Sequence, residues 1–169
     1  AGLCQKDAIY EAGRVSDVLL FGANEVLKDD GQIFSCDLTH HGKKRRVFTQ
    51  RSPLLGVICA ITPFNSPLNV LAHKVGPALA AGNAVVIKPS EFTPMTAIAL
   101  CEALIDGGIA PTLLGLVHGA GGEVGPLLLA DPRIAFYAFT GSTRVGREIQ
   151  RAAGLRRTQL ELGSIASTI

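Results

Sequence analysis

Charge is scarce in this sequence. Asp, Glu, Lys and Arg make up 18% of the residues and nearly cancel, leaving a formal net charge of +2. An electrostatic nucleic-acid binder shows a clustered basic face. The one basic run here is Lys43-Lys44-Arg45-Arg46, ordinary for a solvated turn or strand edge. No nucleic-acid partner is expected. Cysteines are also few. Cys4, Cys36, Cys59 and Cys101 show no C-x-x-C spacing and stand among apolar neighbours. Buried free thiols in a reducing, cytoplasmic setting are therefore expected, not a disulfide scaffold. His40, His41, His73 and His118 do not make metal-ligand spacing, so no metal site is expected. No apolar run reaches membrane-spanning length, and the first residues lack a basic start followed by an apolar signal core. No membrane partner is expected.

What is present suits a globular domain. Hydrophobic residues reach 47% and there are 19 glycines, enough for a real core with many tight turns. Ala1 is not a starting methionine and Ile169 closes an apolar stretch, so an internal piece of a longer chain is expected. Residues 1–29 carry apolar residues at helical spacing, with Gly13 and Gly22 as weak points. Residues 32–50 alternate around the turn His41-Gly42-Lys43 and predict a half-buried hairpin. That hairpin is either a subunit contact or edge decoration.

From Pro53 the pattern changes. The runs 55–61, 84–87, 113–117 and 134–139 are apolar and strand-length, as expected for strands buried on both faces, and residues 158–162 start a fifth strand. Between them lie helical patterns at 67–81, 92–106, 123–130 and 143–152. Ser66 is placed to cap the first of these and Thr93 the second, each followed by a proline at the first helical position. Strands alternating with helices through short loops predict an α/β fold: a Rossmann-like open parallel sheet with helices on both faces, plus the N-terminal helix and β-hairpin extension. Residues 1–52 read as that helix and an oligomerisation-type hairpin, and residues 53–169 as a dinucleotide-binding domain.

Right-handed crossovers place every strand's carboxyl end on one edge of such a sheet. Four polar corners then meet there: 62–65, 88–91, 118–125 and 141–146. Gly141-Ser142-Thr143-Arg144-Val145-Gly146 follows a strand and opens a helix, a place that suits an anion as well as a plain cap. It is neither the G-x-G-x-x-G fingerprint nor a Walker A loop. Lys88 and Glu91 bracket Pro89-Ser90 at a strand end. Alone they form a surface ion pair of little worth. Beside a phosphate corner they suit the hydroxyls of an adenosine ribose, and a carboxylate there disfavours a 2′-phosphate, hence NAD over NADP. Asn65, between Pro63 and Pro67, is either an oxyanion donor held in a stiff loop or a turn former. Lys74 faces solvent by default. Glu161, in the apolar strand end Gln159-Leu160-Glu161-Leu162, is either a desolvated general base or a satisfied structural carboxylate.

Taken together, the stretches GVICAITPFNSPL, HKVGPALAAGNAVVIKPSE, FTGSTRVG and LELG resemble the aldehyde dehydrogenase superfamily, in its order and with its intervals, over roughly residues 53–163. Residues 1–52 fit more loosely, resembling the helix and subunit-joining strands that precede this region. The resemblance implies an NAD-preferring oxidation of a small aldehyde to its acid in a homo-oligomeric parent protein. There a cysteine thiolate attacks the aldehyde, hydride leaves from the thiohemiacetal, and water releases the acid from the thioester. It implies Asn65 as the oxyanion amide, Glu161 as general base and Lys74 as its proton-relay partner. It implies Lys88, Ser90 and Glu91 at the ribose corner, Gly141 and Ser142 at the pyrophosphate, Gly125 beneath the adenine, and Ile61 and Thr62 along the cofactor groove. Two positions depart from the pattern: Phe64 replaces a usual tryptophan, and Ser164 a usual second glycine. The family's catalytic cysteine lies downstream of the LELG glutamate, and none of the four cysteines occupies that place. The chain alone is therefore expected not to turn over. The alternatives are a non-catalytic nucleotide-binding or assembly module, and a CoA-acylating or semialdehyde relative. Glu161 favours hydrolysis over the latter.

Overall fold

The computed structural model describes residues 2–28 and 31–164. Helix α1 (Gln5–Val26) leads into a two-stranded antiparallel hairpin, β1 (Gln32–Ser35) and β2 (Arg46–Thr49). Then follow β3 (Val57–Ile61), α2 (Pro67–Ala80), β4 (Val85–Lys88), α3 (Pro94–Asp106), β5 (Leu114–Leu116), α4 (Gly121–Ala130), β6 (Ile134–Thr140), α5 (Thr143–Ala153) and β7 (Arg157–Glu161). The last five strands form one parallel sheet in the order β5-β4-β3-β6-β7. The expected α/β architecture is present.

Alternation along β3 explains the two layers. Ile58 and Ala60 face a core built with Val85 and Ile87 of β4, Leu71 and Val75 of α2, and Leu100 of α3. Cys59 faces the other core, with Tyr137 and Phe139 of β6, Leu128 of α4 and Ile149 of α5. Both faces are covered, which is why the strand runs read as continuously apolar. Leu71, Val75 and Ile87 are fully buried, and burial of such side chains is worth about 1.5–3 kcal/mol each. Helix α1 lies along α2 at close range: a Cβ on Gly22 would touch Ala80, and one on Gly76 would touch Leu19 and Val18. Gly22 is thus a packing position and not a break in the helix.

Three expectations need correction. The hairpin forms, but both strands are exposed along their whole length instead of half-buried. Among the described residues no element covers either face, and Ile33, Phe34, Val47 and Phe48 all point into solvent. Only two of the four thiols are buried. Cys59 and Cys101 are, whereas Cys4 is exposed just before α1 and Cys36 is half-buried beside the hairpin. Ser66 and Thr93 stand at their N-cap positions, but neither side chain caps its helix.

Candidate functional site

The sheet runs outward from β3 to β5 and resumes with β6 on the other side of β3. A crevice opens at such a reversal, outside the carboxyl ends of the strands, and ligands bind there. Lys88, Ile61, Phe139 and Leu160 lie in one row of the ladder across four strands. The residues just past that row therefore converge: Thr62 after β3, Pro89 to Glu91 after β4, Gly141 and Ser142 after β6.

Lys88 is buried rather than solvated. Its Nζ donates to the Pro89 carbonyl at 3.0 Å and to Glu91 Oε2 at 3.5 Å. An ammonium has three donors, so one N–H is left without a protein acceptor among the described residues. Glu91 is exposed, and its carboxyl is held below the usual range. Its own backbone N–H contributes most; burial opposes it, and Lys88 and then the Gly121 N–H lower it further. Glu91 therefore remains an acceptor at neutral pH, facing the start of α4. Ser90 is buried and its Oγ accepts from the Phe92 N–H at 3.3 Å.

Thr62 is buried just past β3. Its N–H donates to the Lys88 carbonyl at 3.2 Å, but its hydroxyl has no partner. A buried hydroxyl left unpaired is uncommon and calls for a ligand or water. Ile61 beside it packs partly into the core under α4 and α5. Across the crevice, the surfaces of Gly121, Gly122 and Gly125 on α4 are bare: a Cβ at any of them would meet nothing within 4 Å. Gly121 and Gly125 are one turn apart on the same face, so this helix offers a planar group its backbone. Gly121 lies in the expected corner 118–125, where the sequence singled out Gly125 alone. At the next corner, Ser142 caps α5 by accepting from the Val145 N–H at 3.4 Å. The Gly141 N–H donates to the Glu161 carbonyl at 3.1 Å. A Cβ on Gly141 would sit 2.5 Å from the ring of buried Phe139, so a larger residue there displaces that ring.

The three residues expected to carry chemistry stand as follows. Asn65 is exposed in the loop before α2, and its amide makes no hydrogen bond to any of the described residues. Lys74 does not face solvent, as its default placement had it; it is buried in α2. Burial lowers its pKa from the ordinary lysine value, and the Glu161 carboxylate opposes that shift. The two residues, from α2 and β7, thus sense one another through space. Glu161 is exposed and not desolvated. Its Oε2 accepts from Thr140 Oγ1 at 3.1 Å and its Oε1 from Gln159 Nε2 at 3.3 Å. The reason is geometric: β7 is the edge strand of the described sheet, and alternate residues along it face out. Among the described residues no group of His, Cys, Asp and Glu could hold a metal ion, and no helix is long and apolar enough to cross a membrane. Burial pushes the Cys59 thiol up to about 12 and raises that of Cys101, so both are poor nucleophiles near neutral pH.

A Rossmann-like sheet with its polar corners gathered at the reversal of strand order is the architecture of dinucleotide-binding proteins. A family model described as "Aldehyde dehydrogenase family" matches residues 1–169, and the chain belongs to that family. It is 42% identical over 159 residues to a 3-sulfolactaldehyde dehydrogenase of Priestia aryabhattai, covering 94% of this chain and 33% of that protein. Among solved structures it superposes on an NADP-dependent glyceraldehyde-3-phosphate dehydrogenase of Bacillus halodurans complexed with NADP, with a TM-score of 0.88 and 38% identity, covering 94% of this chain and 33% of that one. It also superposes on an NAD-dependent aldehyde dehydrogenase of Sinorhizobium meliloti, with a TM-score of 0.85 and 35% identity, covering 94% and 31%. The chain spans about a third of the length of the curated relatives it matches.

Proposed function

We propose that this chain supplies the cofactor half of an NAD-preferring aldehyde dehydrogenase. The observation that carries the reading is the pair of unspent donors at the strand-order reversal, the buried Thr62 hydroxyl and the third N–H of buried Lys88. Two helix starts and a bare glycine surface follow strands of the same sheet, and a dinucleotide fits that set. Lys88 and Glu91 take the adenosine ribose, Ser90 holds their turn, Gly121 and Gly125 receive the adenine, and Gly141, Ser142 and the α5 N-terminus take the pyrophosphate. Ile61 and Thr62 line the path towards the reacting end. NAD supplies a hydride acceptor when bound. Glu91, ionised and beside the ribose, disfavours a 2′-phosphate.

The remaining residues serve the carbonyl. The Asn65 amide donates to the aldehyde oxygen as negative charge grows there. Glu161 takes the proton of the water that attacks the thioester carbonyl. Lys74, buried and with a lowered pKa, passes that proton on. None of the four cysteines follows Glu161 in the sequence, where the resemblance places the nucleophile, so the attacking thiolate comes from outside these 169 residues, and the isolated chain does not turn over. The exposed apolar hairpin suits burial against a second copy, giving a homo-oligomer. The test is calorimetric titration of the full-length protein with NAD. Saturable binding, weakened by Glu91→Ala, supports the reading, and no saturable binding in the unmutated protein rejects it.

A further inference from the structure

Helix α1 sends one charged residue into the interior. Glu11 lies on the same buried stripe as Val15 and is 8% exposed. Its Oε1 accepts from Ser66 Oγ at 3.0 Å, from the Leu68 N–H at 2.9 Å and from the Asn69 N–H at 2.9 Å. These groups belong to the first turn of α2, where backbone donors have no intrahelical partner. Ordinarily the helix's own N-cap side chain satisfies them. Here Ser66 stands at the N-cap but turns its hydroxyl to Glu11 instead. Pro67 has no N–H to give. The start of α2 is therefore held by a carboxylate from 55 or more residues away, and the negative charge is favoured at the positive end of the helix.

Asn65 is the residue immediately before this clamp, and among the described residues no hydrogen bond fixes its own amide. Its position is set by the backbone on its two sides, β3 through Thr62 and Pro63, and Ser66 through Glu11. We propose that Glu11 is a positioning residue for Asn65: it pins the first turn of α2 so that the amide meets the aldehyde oxygen. This deepens the reading above and rests on Asn65 being the oxyanion donor. The carboxylate touches neither substrate nor cofactor, and its effect travels through two backbone bonds and one hydroxyl.

The full-length protein tests this with Glu11→Ala, Glu11→Gln, Asn65→Ala and the Glu11→Ala/Asn65→Ala double variant. Glu11→Ala speeds amide exchange at Leu68 and Asn69 by about tenfold or more, and Glu11→Gln, which keeps an acceptor oxygen, does so less. Glu11→Ala lowers kcat about tenfold or more while leaving NAD affinity unchanged, since misplacement of a donor costs rate. In the Asn65→Ala background the same change lowers kcat less than about twofold, because the group it positions is gone. Equal losses from Glu11→Ala in both backgrounds overturn the proposal, as does unchanged exchange at Leu68 and Asn69. If Asn65→Ala alone leaves kcat intact, the oxyanion reading falls and the proposal with it, and that result is visible without any Glu11 variant. Should Glu11→Ala fail to fold, Glu11→Gln takes its place in each comparison.

Discussion

Tyr137 joins helices α4 and α5, and removing its hydroxyl has a calculable cost. The side chain is fully buried in β6. Its hydroxyl donates to the Leu128 carbonyl at 3.1 Å, with the Leu129 carbonyl at 3.3 Å, and accepts from Arg156 Nη1 at 2.7 Å. The Arg156 guanidinium also lies 4.9 Å from the ring centroid and donates to the carbonyls of Leu129, Asp131, Ala152 and Ala153. One arginine and one phenol thereby tie the carboxyl ends of α4 and α5 to the central sheet. Tyr137→Phe keeps the ring and its cation–π contact. It also leaves each partner a second contact: Leu128 O keeps the Asp131 N–H, Leu129 O keeps Arg156 Nη2, and Arg156 Nη1 keeps Asp131 O. No group is orphaned, so the loss is that of a charge-assisted hydrogen bond in a site that stays satisfied, about 2 kcal/mol. Urea unfolding followed by far-ultraviolet circular dichroism reads it as a lowered midpoint at constant slope. A thermal scan reads it as a fall of about 4–8 °C for a chain of this size. A change under about 0.5 kcal/mol, the level of a surface substitution, would refute the assigned network.

Two further outcomes follow from buried groups. Lys74 has a folded pKa below its unfolded one because burial disfavours the ammonium. Within the window between the two values the unfolded chain binds more protons, so stability rises with pH there, up to the unfolded lysine value near about 10.4. Lys74→Met removes that rise and is the more stable protein at neutral pH. Thermal unfolding from pH 7 to pH 10 checks it, and parallel profiles for the two proteins would sink the idea. Cys59, with its thiol pushed up to about 12, stays unmodified when the native protein meets iodoacetamide at pH 8, while exposed Cys4 reacts. Mass spectrometry of the digested protein distinguishes them, and equal labelling of both would contradict the buried placement of Cys59.

Much of the fold was legible because its signals are local. Continuous apolar runs bounded by turn residues marked β3, β4 and β6, and helix starts such as Ser66-Pro67 and Ser142-Thr143 set the boundaries of α2 and α5 closely. The turn after Lys88 was legible for the same reason, since a proline and a glutamate follow the buried run 84–87, but that the lysine itself is buried was not. What was not legible depends on pairings distant in sequence. Ser66 looks like a cap because nothing nearby shows that Glu11 performs that task. The one available signal was a lone glutamate on the apolar stripe of α1, four residues before Val15. Lys74 looks solvent-facing until α1 and the sheet close over α2. Glu161 looks desolvated from its apolar neighbours Leu160 and Leu162, yet alternation on an edge strand turns it outward. The hairpin's alternation was read correctly as strand, but alternation cannot say what covers the apolar face.

The central claim is that the Lys88 to Glu91 corner selects NAD, and paired calorimetric titration of the full-length protein with NAD and NADP tests it. The unmutated protein should bind NAD at least about tenfold more tightly than NADP, a difference of about 1.4 kcal/mol, because ionised Glu91 meets the 2′-phosphate of the latter. In Glu91→Ala, NAD should bind about tenfold more weakly and the preference should shrink or vanish. Equal affinity for the two cofactors in the unmutated protein, or a preference untouched by Glu91→Ala, would contradict the account.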